Sequence, residues 1–293
     1  MRSFYIYGEI MVNSTFDCYE LSNGTKIPCI GFGTWKLLED DCIKSVKNAV
    51  KAGYRHIDTA TAYRNEKSVG IAVKECGVDR NELFITSKLW NSSKGYDEAI
   101  RALRKTLAFL DVDYIDLYLI HWPRSQKCMN DYEQLNNETW RAFETLYKDG
   151  LVRAIGVSNF LEHHLQPLID NAQILPMVNQ LELSPQCRQD SAVAFSRKYN
   201  MAIEAYSPLT RGNVFGMEQM RIVSQKHNRT AAQICLRWSI QNGYIPLPKS
   251  SDEEHIVSNA DVFSFSLDEE DMRLLDELSV LGRMVADPDN PPF

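Results

Sequence analysis

Four side chains in the first half of the sequence, Asp58, Tyr63, Lys88 and His121, have the chemistry of a proton-transfer site. Each closes or follows a short apolar run: HID ends on Asp58 with Tyr63 in the loop beyond, LFITSK ends on Lys88, and IDLYLI hands over to His121. A free phenol titrates near ~10, and an ammonium within a few Å would lower that value by favouring the phenolate. Asp58 would keep the ammonium charged and in place. A neutral His121 would donate a hydrogen bond to a carbonyl oxygen gaining negative charge. Together the four are suited to protonating an oxygen. A nucleophilic triad fits less well, because there is no GxSxG elbow and none of the seven cysteines stands at a strand end facing His121. The six histidines show no HExxH or similar spacing, so no metal site is expected.

For these residues to meet, their strands must lie side by side. Hydrophobic periodicity predicts strands at 29–35, 56–60, 83–90, 115–121, 152–160, 177–183, 201–209 and 245–250, with helices at 40–52, 66–75, 95–110, 138–148, 161–171, 188–199 and 230–242. Such an alternation, with no compositional break, predicts an α/β fold, a (β/α)8 TIM barrel, with a doubly wound open sheet as the alternative. A hairpin with a two-residue Asn23-Gly24 turn should precede the barrel, and a capped helix at 266–279 should follow it. Residues 1–16 are expected to be an extension and 17–293 a single domain. In a barrel, chemistry sits at the C-terminal strand ends, where all four residues fall.

The later strand ends carry a different set: Ser158, Asn159, Gln180, Tyr206, Ser207, Lys249 and Ser250. Amides, hydroxyls, a ring and one cation suit a carboxamide, an aromatic ring and a phosphate, the parts of a nicotinamide dinucleotide. No GxGxxG follows a strand into a helix, so a Rossmann site is not supported. Trp35, Trp90 and Trp122 stand at the same rim and suit an apolar substrate body, whereas Trp140 and Trp238 lie within helices and belong to the core.

Composition sets the outer limits. A 293-residue chain with 44% apolar and 24% charged residues is ordinary for a globular protein. Its net charge of -7 argues against broad binding to nucleic acid or anionic membrane. The cysteines form no CxxC pair, and no apolar run approaches a membrane span. A reduced, cytoplasmic monomer acting on a small molecule is the expectation.

From about Tyr19 to the C-terminus the sequence resembles the aldo-keto reductase family. The resemblance rests on GYRHIDTA followed by Glu66 and Val69-Gly70, on RAIGVSNF from Arg153 to Phe160, and on LPKS from Leu247 to Ser250. It implies a (β/α)8 reductase that binds NADPH and delivers hydride to an aldehyde or ketone. Tyr63 would be the general acid, tuned by Lys88 and Asp58, with His121 orienting the carbonyl. Ser158, Asn159 and Gln180 would hold the carboxamide, Tyr206 would stack on the nicotinamide, and Lys249 with Ser250 would contact the 2′-phosphate. Thr34, Trp35, Asp58, Ser207, Leu209, Ser251, His255 and Asn259 complete the implied cofactor contacts. Trp35, Trp90, His121 and Trp122 would face the substrate. His255 stands where the family usually has an arginine, and Ser258 where an acidic residue often precedes the asparagine. A guanidinium is always charged and an imidazole is not, which admits NADH beside NADPH. The alternative is a nucleotide-sensing barrel with little turnover. The short loop at 124–137 and brief tail are similar to those of compact microbial members that reduce diketo sugar acids, simple aldehydes or diketones.

Overall fold

The computed structural model describes residues 12–126 and 129–293, together with the backbone of 3–4. The expected extension, residues 1–16, falls largely outside the described residues. Strand β1 (Ser3–Phe4) pairs parallel with β2 (Cys18–Glu20), which pairs antiparallel with β3 (Lys26–Pro28). The β2–β3 hairpin lacks the predicted two-residue turn. Leu21 N–H donates to Thr25 O at 2.9 Å, so pairing runs one step further and 22–24 form the loop. Gly24 closes it at φ 83°, the left-handed position that a three-residue hairpin loop requires. Asn23 Nδ2 then donates to Arg153 O at 2.9 Å, fixing the hairpin to the base of the barrel.

Eight parallel strands follow: β4 (Phe32–Gly33), β5 (His56–Asp58), β6 (Phe84–Leu89), β7 (Ile115–Ile120), β8 (Val152–Ser158), β9 (Val178–Glu182), β10 (Ala202–Tyr206) and β11 (Ile245–Pro246), each paired with the next. The sheet does not stay open. Gly31 N–H donates to Pro246 O at 3.0 Å and Gly33 N–H to Pro248 O at 2.9 Å, joining first strand to last. The open doubly wound alternative is thereby set aside, and the fold is a (β/α)8 barrel. Gly31 is needed at this seam, because a Cβ there would lie 2.6 Å from His56 Nδ1.

The helices are α1 (Glu39–Lys51), α2 (Glu66–Glu75), α3 (Tyr96–Leu110), α4 (Tyr132–Lys148), α5 (Glu162–Asn171), α6 (Asp190–Lys198), α7 (Glu218–His227), α8 (Ala231–Gln241), α9 (Glu253–Ala260) and α10 (Glu269–Asp276). They cover strands buried on both faces, and β7 is buried at every position. In α3 the buried residues Ala99, Leu103, Thr106 and Leu110 fall at spacings of four, three and four, which places them on one stripe. Gly70 lets α2 approach α3, since a Cβ at that position would stand 2.3 Å from Leu110 O.

Three helices depart from expectation. α4 begins at Tyr132 rather than at 138, because its first turns bury a polar contact: Asn136 Oδ1 accepts from Lys94 Nζ at 2.8 Å. α7 and α9 were not predicted. Each buries two residues, Met220 and Val223 in one and Ile256 and Asn259 in the other, too few to mark a period. Among the described residues, no helix is long and apolar enough to cross a membrane.

Candidate active site

Asp58 is the last residue of β5, Lys88 lies one residue from the end of β6, and His121 follows β7. Tyr63 ends a 3-10 turn, Thr61–Tyr63, that opens the loop after β5. Asn65, buried beside it, fixes that loop. Its Nδ2 donates to Thr34 O and Leu37 O, each at 2.8 Å, and its Oδ1 accepts from Thr59 Oγ1 at 2.7 Å.

Lys88 Nζ is fully buried and donates to both Asp58 oxygens, at 2.6 and 2.7 Å, to Thr59 O at 3.0 Å and to the Tyr63 hydroxyl at 3.4 Å. Burial by itself would depress the Lys88 ammonium, but Asp58 and Tyr63 outweigh it and hold its pKa above the usual lysine value. For Tyr63 the balance is opposite to the sequence expectation. Burial raises the phenol, Lys88 lowers it by less, Asp58 adds a raising contribution, and the net direction is up. Tyr63 is therefore a phenol at neutral pH, holding a proton it can donate.

The His121 ring is 5.8 Å from that of Tyr63 and 5.3 Å from that of Trp90. Burial, then Lys88, keeps it well below the ordinary histidine range, so it is neutral. Its Nδ1 is sealed and has no hydrogen-bond partner among the described residues. A buried N–H lacking an acceptor is rarer than an unfilled lone pair, so the single ring proton belongs on Nε2.

The residues expected around the carboxamide are already bonded to one another. Ser158 Oγ donates to Gln180 O at 2.9 Å, and Asn159 Nδ2 to His121 O at 2.9 Å and Ser158 Oγ at 3.1 Å. The Tyr206 hydroxyl donates to Asn159 Oδ1 at 2.7 Å. Gln180 Nε2 spends both protons inside the barrel, on Asp58 Oδ2 at 2.9 Å and Glu204 Oε2 at 2.8 Å, leaving only its carbonyl for a ligand. Sequence reasoning missed Glu204, which is fully buried in mid-strand. Thr34 Oγ1 donates to Asp58 O at 2.9 Å, while Ser207 and Leu209 are half-buried in the loop after β10.

At the far end of the rim, Lys249 is exposed and makes no ion pair among the described residues. Ser250 Oγ accepts from Asp252 N–H at 3.0 Å, Ser251 is exposed, and Asn259 is buried in α9. His255 is exposed, with Nδ1 3.9 Å from Asp252 Oδ1, and Glu253 and Glu254 share its turn. These residues fit a nicotinamide dinucleotide in kind. Lys249 is a cation with no ion pair among the described residues, and Gly33 leaves room beside the last strand, where a Cβ would lie 3.1 Å from Leu247 O. The acidic turn around His255 is the least favourable part for a second phosphate.

Trp90 and Trp122 flank His121, with ring centroids 5.3 and 6.5 Å from its own, and a third ring not expected from the sequence joins them. Phe293 lies 5.0 Å from Trp90 and 5.2 Å from Trp122. Trp35 is set apart, 41% exposed between the Lys36 ammonium at 4.5 Å and the Arg211 guanidinium at 4.9 Å. The tail carrying Phe293 is fastened by Glu182, whose carboxylate accepts from Met284 N–H at 2.8 Å and Val285 N–H at 3.2 Å. Further along, Asp289 Oδ1 lies 2.7 Å from His163 Nε2 and 3.1 Å from His164 Nε2. These three could be taken for metal ligands. Leu161 N–H, however, donates to His164 Nδ1 at 3.2 Å, which leaves the proton of the neutral ring on Nε2, and the clasp on the tail is the hydrogen bond between His163 Nε2 and Asp289 Oδ1.

The sequence model of the Aldo/keto reductase family matches residues 29–280. Glyoxal reductase of Bacillus subtilis (strain 168) is 45% identical over 284 residues, covering 97% of this chain and 100% of the relative. Among solved structures, MGS-M4, an aldo-keto reductase from a Medee basin deep-sea metagenome library, superposes with a TM-score of 0.89 at 42% identity, over 94% of this chain and 99% of that one. A Gox0644 mutant in complex with NADPH superposes with a TM-score of 0.86 at 40% identity, over 94% and 98%. The chain belongs to the aldo/keto reductase family.

Proposed function

We propose that this enzyme reduces small aldehydes or ketones to alcohols with NADPH, and that Tyr63 donates the proton. The observation that carries the reading is the buried relay in which Asp58 grips Lys88 with both oxygens and Lys88 reaches the Tyr63 hydroxyl at 3.4 Å, beside a neutral His121. Bound NADPH would supply the hydride that adds to the carbonyl carbon. The chain's own residues do the rest. His121 Nε2–H holds the carbonyl oxygen, and Tyr63 passes its proton to that oxygen as negative charge develops there. Lys88 then stabilises the phenolate left behind.

Asn159, Ser158 and the Gln180 carbonyl would hold the carboxamide, and the Tyr206 ring would face the nicotinamide. Lys249 and Ser250 would take the 2′-phosphate. With His255 in an acidic turn, the preference for NADPH over NADH is expected to be modest. The three rings of Trp90, Trp122 and Phe293 favour a compact substrate, in keeping with the glyoxal reductase relative. A panel of glyoxal, methylglyoxal, simple aldehydes and diketones, read by NADPH absorbance, tests this. Turnover on the small dicarbonyls supports it, and no NADPH oxidation with any member of the panel overturns it.

A further inference from the structure

Below the catalytic residues the barrel interior holds a second layer of polar groups. Gln180 on β9 donates one amide proton to Asp58 Oδ2 and the other to Glu204 Oε2 on β10. Glu204 Oε1 lies 3.4 Å from His56 Nε2 on β5, and that nitrogen is 2.9 Å from Thr86 Oγ1 on β6. All five side chains are at most 3% exposed. Glu204 pairs in register with Ile245 of β11, which brings no charge.

The charges in this layer do not balance if every acid is ionised. Lys88 is one cation, and Asp58 already meets it with both oxygens. A second carboxylate at Glu204 would have one donor, Gln180, for its two oxygens. Among the described residues Oε1 has no hydrogen-bond partner, and neither has His56 Nδ1, the ring nitrogen turned away from it. As for His121, the sealed Nδ1 puts the His56 ring proton on Nε2, where Thr86 Oγ1 takes it at 2.9 Å, so Oε1 gains nothing; a sealed carboxylate with an empty oxygen is costly, and the uncharged carboxyl is the cheaper state. The surroundings agree: burial, then Asp58, pushes Glu204 up to about 8, while burial, then Lys88, pushes His56 down to about 3.

We propose that Glu204 is a positioning residue that works as an uncharged carboxyl: it fixes Gln180 under Asp58, leaving Asp58 as the one anion opposite Lys88. When Glu204 gives up its proton, a second anion enters the cluster, and Tyr63 holds its own proton more tightly. Glu204 thus extends the pH range over which Tyr63 remains a donor. Its neighbours limit the response to a single proton. His56, the titratable side chain that faces Glu204 Oε1, is neutral throughout that range.

The activity arm of the test rests on the reductase reading above, and the spectroscopic arm does not. Glu204→Gln keeps the shape and the bond from Gln180 but cannot ionise. In that variant the falling limb of the reduction profile and the rising limb of alcohol oxidation should both move down by about one pH unit, the size expected for charges sharing a buried cluster. Unmoved limbs, or a uniform drop at every pH, overturn the proposal. Infrared difference spectra of wild type against Glu204→Gln, taken without cofactor at pH 6.5, should show one buried carboxylic acid C=O band in the wild type alone. Its absence overturns the proposal whatever the activity, and Glu204→Leu gives a second pairing for the same comparison should the glutamine variant fold poorly.

Discussion

Replacing Asp58 with asparagine isolates the charge that the relay depends on. Asp58 is 3% exposed, and both its oxygens receive Lys88 Nζ, which is itself fully buried. Asparagine offers one acceptor, and its NH2 must face either Lys88 or Gln180, both of which are donors. Breaking a buried pair in this way costs about 3–5 kcal/mol, a large share of the ~5–15 kcal/mol that holds a typical domain together. The pH dependence carries a sign. In the wild type Lys88 has a raised pKa, so the pair's contribution is complete below the unfolded lysine value and is lost only as pH climbs through the folded one. Across pH 6 to 9 it is constant. Without Asp58, burial is left as the largest influence on Lys88 and drives its pKa down. The unfolded chain then binds more protons than the folded one, and stability rises with pH. Urea denaturation of both proteins at pH 6, 7.5 and 9 measures the difference. The deficit of Asp58→Asn should be largest at pH 6 and shrink toward pH 9. A deficit below about 1 kcal/mol, or one independent of pH, would refute the reasoning that Asp58 holds a buried ammonium.

Two further outcomes follow from the packing and from the rim. Gly70→Ala places a Cβ 2.3 Å from the Leu110 carbonyl, a backbone atom that cannot swing away, so the urea midpoint should fall by the equivalent of about 1–3 kcal/mol; an unchanged midpoint would mean that α2 and α3 are not in contact there. His255→Arg should tighten NADPH about 10-fold or more with little effect on NADH, the lower end of what one charge-assisted contact is worth, ~1.5 kcal/mol. Fluorescence titration of both nucleotides reads this, and an unaltered ratio would remove His255 from the phosphate site.

Much of this architecture is legible in the residue pattern, and the gaps have physical causes. The barrel strands show as apolar runs because they are buried on both faces, and the same runs end on Asp58, Lys88 and His121, so the strand ends give the site away. Helices α7 and α9 escape notice because each buries only two residues. The hairpin turn was mistaken because an Asn-Gly pair reports a turn but not its length, which the Leu21–Thr25 bond decides. Tyr63 shows the limit most clearly. Pairing a phenol with an ammonium predicts a lowered pKa, but how deeply the phenol sits is a property of the assembled barrel, and burial outweighs the charge. Glu204 and Phe293 were invisible for a related reason. An acid in mid-strand and an aromatic in an irregular tail have meaning only through partners far away in the chain.

The central claim is that the Tyr63 hydroxyl supplies the proton in carbonyl reduction, and Tyr63→Phe tests it most directly. That change removes one oxygen and leaves the ring, Lys88 and the expected cofactor contacts in place. General acid catalysis is worth on the order of 100- to 10,000-fold, so kcat for carbonyl reduction should drop by at least about 100-fold, while NADPH binding measured by fluorescence stays close to that of the wild type. Turnover near the wild-type rate in a variant that binds NADPH normally would contradict the account.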